Sequence, residues 1–186
     1  MWPGGGPRLS LLMGIFASRA ASAGPSPIVS GAESLMAKKA HGSCANAPQA
    51  GLRFGCDAQT ADNICCFNRH YAEHSGYFLT TSFAKQTQDA GTTTYYDSVS
   101  GAPLFRAPVG RSYAAFLKES KAHGWPSFRD EEVVWDNVRV LRNGEAVSVS
   151  GTHLGHNLPD RSGNRYCINL VSVAGRENKA PTGDTL

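Results

Sequence analysis

A chain of 186 residues can form one compact domain with a real core plus tails, and its apolar content is ordinary for a globular protein. The net charge of +3 is spread along the sequence, with no basic run and no alternation of basic and aromatic residues, which argues against nucleic acid as a partner. No segment is long and apolar enough to cross a membrane, and the 20 glycines favour turns and short strands over long helices.

The first residues read as an address. No acidic residue precedes Glu33, and Arg8 and Arg19 sit among Ser, Ala and Gly, as in a mitochondrial or plastid transit peptide. The apolar run Leu9 to Ala17, followed by Ala21-Ser22-Ala23, fits a secretory signal instead. A leader without address information is the bland alternative. Residues 1–43 lack periodicity and are expected to be flexible.

Residues 44–70 are polar, turn-rich and marked by Cys44, Cys56, Cys65 and Cys66, with Cys167 alone near the end. This extension is expected to wrap the main domain, residues 71–175, rather than form its core. The cysteines do not make two spaced CxxC pairs, so a zinc knuckle is not expected. They could staple the extension by disulfides in an oxidising compartment, and their odd total leaves at least one thiol free.

Tyr77 to Ser82 and Thr92 to Tyr96 are rich in β-formers and read as strands, as does Pro103-Leu104-Phe105 after the Ser100-Gly101 turn. One helix is expected from Ser112 to Ala122. Ser112 caps it, Tyr113, Phe116 and Leu117 form its apolar stripe, and Gly124 and Pro126 stop it. Val133 to Leu141 and Ala146 to Ser150 flank an Asn143-Gly144 hairpin signal. Gly151 to Leu158 and Arg165 to Val173 supply further strands, and residues 176–186 read as a tail. Many short strands with tight turns and one helix predict a mainly β domain of curled antiparallel sheets.

Three stretches carry chemistry. In Arg165-Tyr166-Cys167-Ile168-Asn169, period-two alternation sends Tyr166 and Ile168 to a core and sets Arg165, Cys167 and Asn169 on the other face. One thiol is thus flanked by a cation and an amide, a setting that can favour a thiolate, although a buried structural cysteine is the plainer reading. Gly151-Thr152-His153-Leu154-Gly155-His156-Asn157 places two histidines three apart. They can serve one site only if the strand bends, which Gly155 permits. Gly124-Trp125-Pro126-Ser127-Phe128 is a rigid aromatic turn, either a core plug or one wall of an apolar pocket. The adjacent pair Cys65-Cys66 could reach another sulfur by exchange, or form a structural disulfide with Cys44 or Cys56.

In this order and at these separations, Gly124 to Phe128, His153 to His156 and Arg165 to Asn169 resemble the methionine-R-sulfoxide reductases, the B-type peptide methionine sulfoxide reductases. Tyr96 to Phe105 is similar to the family's opening segment, so the resemblance covers about Tyr95 to Ala174. It implies two small antiparallel sheets curled into an open barrel or tent, with a short helix packed on them. It also implies that Cys167 attacks the sulfoxide sulfur and becomes a sulfenic acid, a reversible rung of thiol oxidation. His153, His156 and Asn169 would hold and protonate the sulfoxide oxygen. Trp125 and Phe128 would supply the apolar wall for the S-methyl group, and Arg165 would sit near the thiolate. The implied role is protein repair in the oxidative stress response. The partners would be oxidised proteins carrying methionine-R-sulfoxide and a thioredoxin-type reductant, and the chain would act as a monomer.

The sequence departs from the family's pattern at two places. Many members bind zinc through two CxxC pairs. The matching positions here are Asp97 with Ser100, and Val147 with Ser150, so no metal and no cofactor is expected. Many members carry a resolving cysteine just before the glycine of Gly-Trp-Pro-Ser-Phe, where this chain has His123. Cys65 or Cys66 is the resolving candidate; failing both, a small thiol or the reductant itself would regenerate Cys167. Two further readings stand beside the first: a non-catalytic redox-sensing or methionine-binding β domain, and a small metal-dependent enzyme using His123, His153 and His156.

Overall fold

The computed structural model describes residues 27–178; the targeting signals and most of the expected tail lie outside them. From residue 27 the chain is already seated on the domain. The Gly31 N–H donates to the Val140 carbonyl and the Val140 N–H to that of Val29, both at 3.0 Å. A short turn at Glu33–Met36 then sets Met36 against Leu141 and Val147. The segment expected only to wrap the domain also enters its core, through Leu52, Phe54, Ala61 and Ile64. They fall in two short clusters, Leu52 with Phe54 and Ala61 with Ile64, too short to set up a helical or strand period. Helix α1 (Ala58–Asp62) starts at Asp57, whose carboxylate accepts from the Thr60 N–H at 2.7 Å.

The stretch expected as a strand at 77–82 is instead a 3-10 turn, Tyr77–Thr80, leading into α2 (Phe83–Thr87). The hydroxyls of Thr80 and Thr81 donate to the carbonyls of Tyr77 and Phe78, offering the backbone a turn in place of a ladder. Strands β1 (Thr93–Tyr96) and β2 (Pro103–Ala107) then pair as an antiparallel hairpin. Helix α3 (Tyr113–His123) is capped by Ser112 as expected and ends at Gly124, in the left-handed region at φ 87°. A Cβ at Gly124 would lie 2.0 Å from the Ser75 hydroxyl, so glycine is needed there twice over.

The remaining strands are β3 (Ser127–Phe128), β4 (Val138–Val140), β5 (Glu145–Ser148), β6 (His153–Asn157) and β7 (Tyr166–Ile168). They form one antiparallel sheet in the order β3-β7-β6-β5-β4. The protein is mainly β, with two antiparallel sheets that do not close into a barrel. Aromatic side chains fill the space between hairpin, helix and sheet: Phe105 stacks on Phe128 at 4.3 Å, and Tyr95 and Phe116 pack on the same ring.

Cys44 and Cys66 form a disulfide, which resolves the alternatives for this pair in favour of a structural staple. With Cys65 they make a small buried cluster against Val99. Closing a loop over a sequence separation of 22 restricts the unfolded chain by about 3 kcal/mol. Replacing Cys44 and Cys66 by serine is expected to lower unfolding stability by about that amount, read by urea denaturation without reductant. An unchanged midpoint would show that the staple does not constrain the fold.

Candidate active site

Strand register assembles the site. Ser127 pairs with Cys167, Cys167 with His156, and His156 with Glu145, so four side chains from β3, β7, β6 and β5 lie in one row across the sheet. A register shift in the β5–β6 ladder and Gly155 allow His153 to join them, and the two imidazole centroids are 6.0 Å apart. Any Cβ at Gly155 would sit 2.1 Å from the Cys167 carbonyl, so β6 and β7 can approach this closely only with glycine here.

The row opens into a cleft of about 400 Å³ lined by Trp125, His153, His156, Arg165, Cys167 and Asn169. Cys167 is half-buried, with the Arg165 guanidinium donating to its sulfur and the Ser127 hydroxyl 3.8 Å away. Negative charge on this sulfur would face a cation directly. Arg165 is itself held by Asp160, at 3.3 Å, and Asp160 is braced by Arg129 at 2.9 Å. Asn169 is 2% exposed and fixed at both ends: its carbonyl oxygen accepts from the Glu73 N–H at 3.1 Å, and its amide donates to Leu154. The Trp125 indole donates to the Glu73 carbonyl at 3.1 Å, which fixes its ring as a wall of the cleft. Burial, and then the neighbouring His153, push His156 below the ordinary histidine value, so it is neutral at neutral pH.

Three expected site residues lie elsewhere. Phe128 is fully buried against Phe105 and does not line the cleft, because β3 sends Ser127 and Phe128 to opposite faces. Cys66 is bonded to Cys44. Cys65 is fully buried, with its thiol beside the Val171 carbonyl and the Ser172 hydroxyl, and burial pushes it well above the usual thiol range. Neither sulfur lines the cleft. Cys56, the other free thiol of the extension, is also outside it, and burial pushes it up to about 12.

Asp97, Ser100, Val147 and Ser150, the positions that match zinc ligands in the family this sequence resembles, do not make a donor set for a tetrahedral cation. Both Asp97 oxygens take the Thr152 hydroxyl, at 2.9 and 3.0 Å, one of them also takes the Val99 N–H, and Val147 is an apolar side chain packed with Met36 and Leu141. His123, His153 and His156 all line the cleft, but among the described residues they do not bring donor atoms within 4.8 Å of one another.

The sequence reading missed the wall supplied by residues 69–72, and with it three carboxylates. Glu145 sits opposite His153, Glu73 lies behind Asn169, and Asp160 lies behind Arg165. For Glu145 a faint signal existed, a charged residue directly before the β-prone Ala146-Val147-Ser148; in the structure it opens that strand and is 2% exposed. Burial pushes Glu73 up to about 7 from the usual 4.5, with the backbone amides of Leu170 and Val171 holding it back. The folded chain therefore binds a proton here more tightly than the unfolded chain between about pH 4.5 and 7. This contribution is complete below pH 4.5 and is lost as pH rises through 7, amounting to about 3 kcal/mol. Glu73→Gln is expected to flatten that part of the stability profile; an identical slope in the variant would assign it to other groups.

No protein-family profile matches the chain. The chain is similar to the peptide methionine sulfoxide reductase MsrB of Methanosarcina mazei, with 34% identity over 89 residues, 42% of this chain and 64% of that relative. It therefore spans less than two thirds of the length of the curated relative it matches.

Proposed function

We propose that the chain reduces methionine sulfoxide in proteins, acting on the R epimer, with Cys167 as the nucleophile. One observation carries this reading: a half-exposed thiol, a guanidinium on its sulfur and two imidazoles share one cleft with a tryptophan wall. The Cys167 sulfur attacks the sulfoxide sulfur, the oxygen passes to Cys167 as a sulfenic acid, and methionine leaves as the thioether. Two electrons move from the cysteine sulfur to the methionine sulfur. A sulfoxide oxygen leaves poorly until protonated, so donors beside the nucleophile are required; His153 and His156, which line the cleft with Cys167, would carry the proton, and Asn169 would help hold the oxygen. A wall formed by Trp125 that seats the methyl group would present one face of the sulfoxide only, which supports selection between epimers.

The sulfenic acid then condenses with a thiol, releasing water and leaving a disulfide that a second thiol reduces. Since Cys65 and Cys66 lie outside the cleft, the incoming thiol belongs to the reductant, of the thioredoxin type or a small dithiol. The mouth carries Tyr71 and Leu158, 62% and 47% exposed, which supports a polypeptide as the bearer of the sulfoxide. The Cys44–Cys66 disulfide favours an oxidising compartment, and so the secretory alternative for the leader.

The test is incubation with a racemic peptidyl methionine sulfoxide and dithiothreitol, followed by separation of the epimers. Loss of the R epimer alone is expected; loss of neither, or of both equally, removes the reading. The absence of Cys56, Cys65 and Cys66 from the cleft lining also favours a second reading, a redox-sensing domain that reacts once and is not recycled. Many turnovers per chain with a thioredoxin system would exclude it.

A further inference from the structure

We infer that Glu145, gripped by Arg69, is a positioning residue for His153, so that the N-terminal segment is a working part of the site. This inference rests on the reading of the cleft as a sulfoxide-reducing site. His153 Nδ1 lies 2.8 Å from Glu145 Oε1, and both residues are 2% exposed. Arg69 closes the other side of the carboxylate, with Nε at 3.0 and 3.2 Å from its two oxygens and Nη2 at 2.6 Å. Its remaining amino group donates to Glu33 at 2.6 Å, so two points of the N-terminal segment meet on one guanidinium.

Chemistry fixes what this chain of contacts does. Burial would raise the Glu145 carboxyl, but the hydrogen bonds from His153 and Arg69 outweigh it and hold it at about 2. It is therefore a carboxylate, which can only accept, and the hydrogen between the two residues belongs to Nδ1. Nε2 is then the nitrogen left for the cleft, an acceptor while the ring is neutral and a donor once the ring has taken up a proton, such as the one the Cys167 thiol gives up. A proton carried by Nε2 would be balanced across the ring by Glu145, as a buried carboxylate balances an imidazolium in other acid–base sites. The same segment fixes two more site groups, since the Glu73 backbone holds both the Asn169 carbonyl oxygen and the Trp125 indole.

A purely structural role for the pair is the competing explanation, and buried ion pairs can often be replaced by apolar side chains without loss of stability. That property supplies the test. The double variant Arg69→Met with Glu145→Leu leaves neither charge alone and keeps the volume. If the pair only held the segment down, this variant would turn over normally. We expect kcat to fall about 10- to 100-fold with KM changed less than about twofold, the usual cost of removing a residue that orients a reacting histidine. Glu145→Gln, which keeps an acceptor but no charge, is expected to lose kcat in the same sense. Nitrogen-15 spectra of the histidine rings in the full chain give a readout independent of turnover. His153 should show a single Nδ1–H tautomer in the parent protein and a mixture in the double variant. An unchanged kcat, or a single tautomer persisting in a folded double variant, overturns the inference. Should the parent protein reduce no sulfoxide, the proposed function fails, and the tautomer comparison still decides whether Glu145 positions His153.

Discussion

Replacing Cys167 by serine is expected to remove sulfoxide reduction almost entirely, by a factor of about 10⁴ or more, as when a nucleophile that acts in concert with its neighbours is deleted. The reason is electronic. The step transfers an oxygen atom onto the attacking group, which must give up two electrons and survive as a sulfenic acid, and an alcohol has no such rung. Serine otherwise fits. The side chain of residue 167 stands on the cleft face of β7, while Tyr166 and Ile168 on the other face hold the strand in the core. Its stability cost should lie within about 0.5 kcal/mol, as for substitutions away from the core. Arg165 stays in place through Asp160, so the pocket's charge is kept. Thermal unfolding and turnover measured on the same sample separate loss of chemistry from loss of fold; activity retained by a folded variant would remove the mechanism. A labelling experiment sharpens it. Iodoacetamide should modify Cys167 first, because Cys65 is fully buried and burial raises the thiols of Cys56 and Cys65.

What could be read from the sequence, and what could not, follows from the range of the interactions. The faces of β7 were legible because alternation is a local property: Tyr166 and Ile168 reach the core, and Arg165, Cys167 and Asn169 line the cleft. The helix cap at Ser112 and its stop at Gly124 are local too. Phe128 was placed wrongly although the rule that places it was available. Once Ser127 shares a row with Cys167, its neighbour must point the other way. The strand expected at 77–82 failed because β-propensity was outweighed by threonine hydroxyls that close turns. Arg69, Glu73 and Glu145 were out of reach for a different reason. Arg69 meets Glu145 across 76 residues and Glu73 meets Asn169 across 96, with no period in the intervening chain to bring them together. The supporting groups of this cleft are long-range, whereas the proposed reacting groups sit in motifs.

The second large loss is expected at His153. Changing it to glutamine should lower kcat by about 10²- to 10⁴-fold, the range for removing a positioned proton donor. Glutamine can still hydrogen-bond a sulfoxide oxygen, so substrate binding should change little, but it cannot deliver a proton. The substitution leaves no buried charge unpaired, since Arg69 still grips Glu145. Comparison with His156 decides which imidazole matters more. His156 stands directly opposite Cys167, yet burial and the adjacent ring keep it neutral at neutral pH. Of the two rings, among the described residues, His153 is the one with a carboxylate bonded to its Nδ1, which can balance a transferred proton. His156→Gln should therefore cost less than His153→Gln in kcat at pH 7. The reverse order would assign the proton to His156 and leave Glu145 without a part in the chemistry, whatever the epimer consumed.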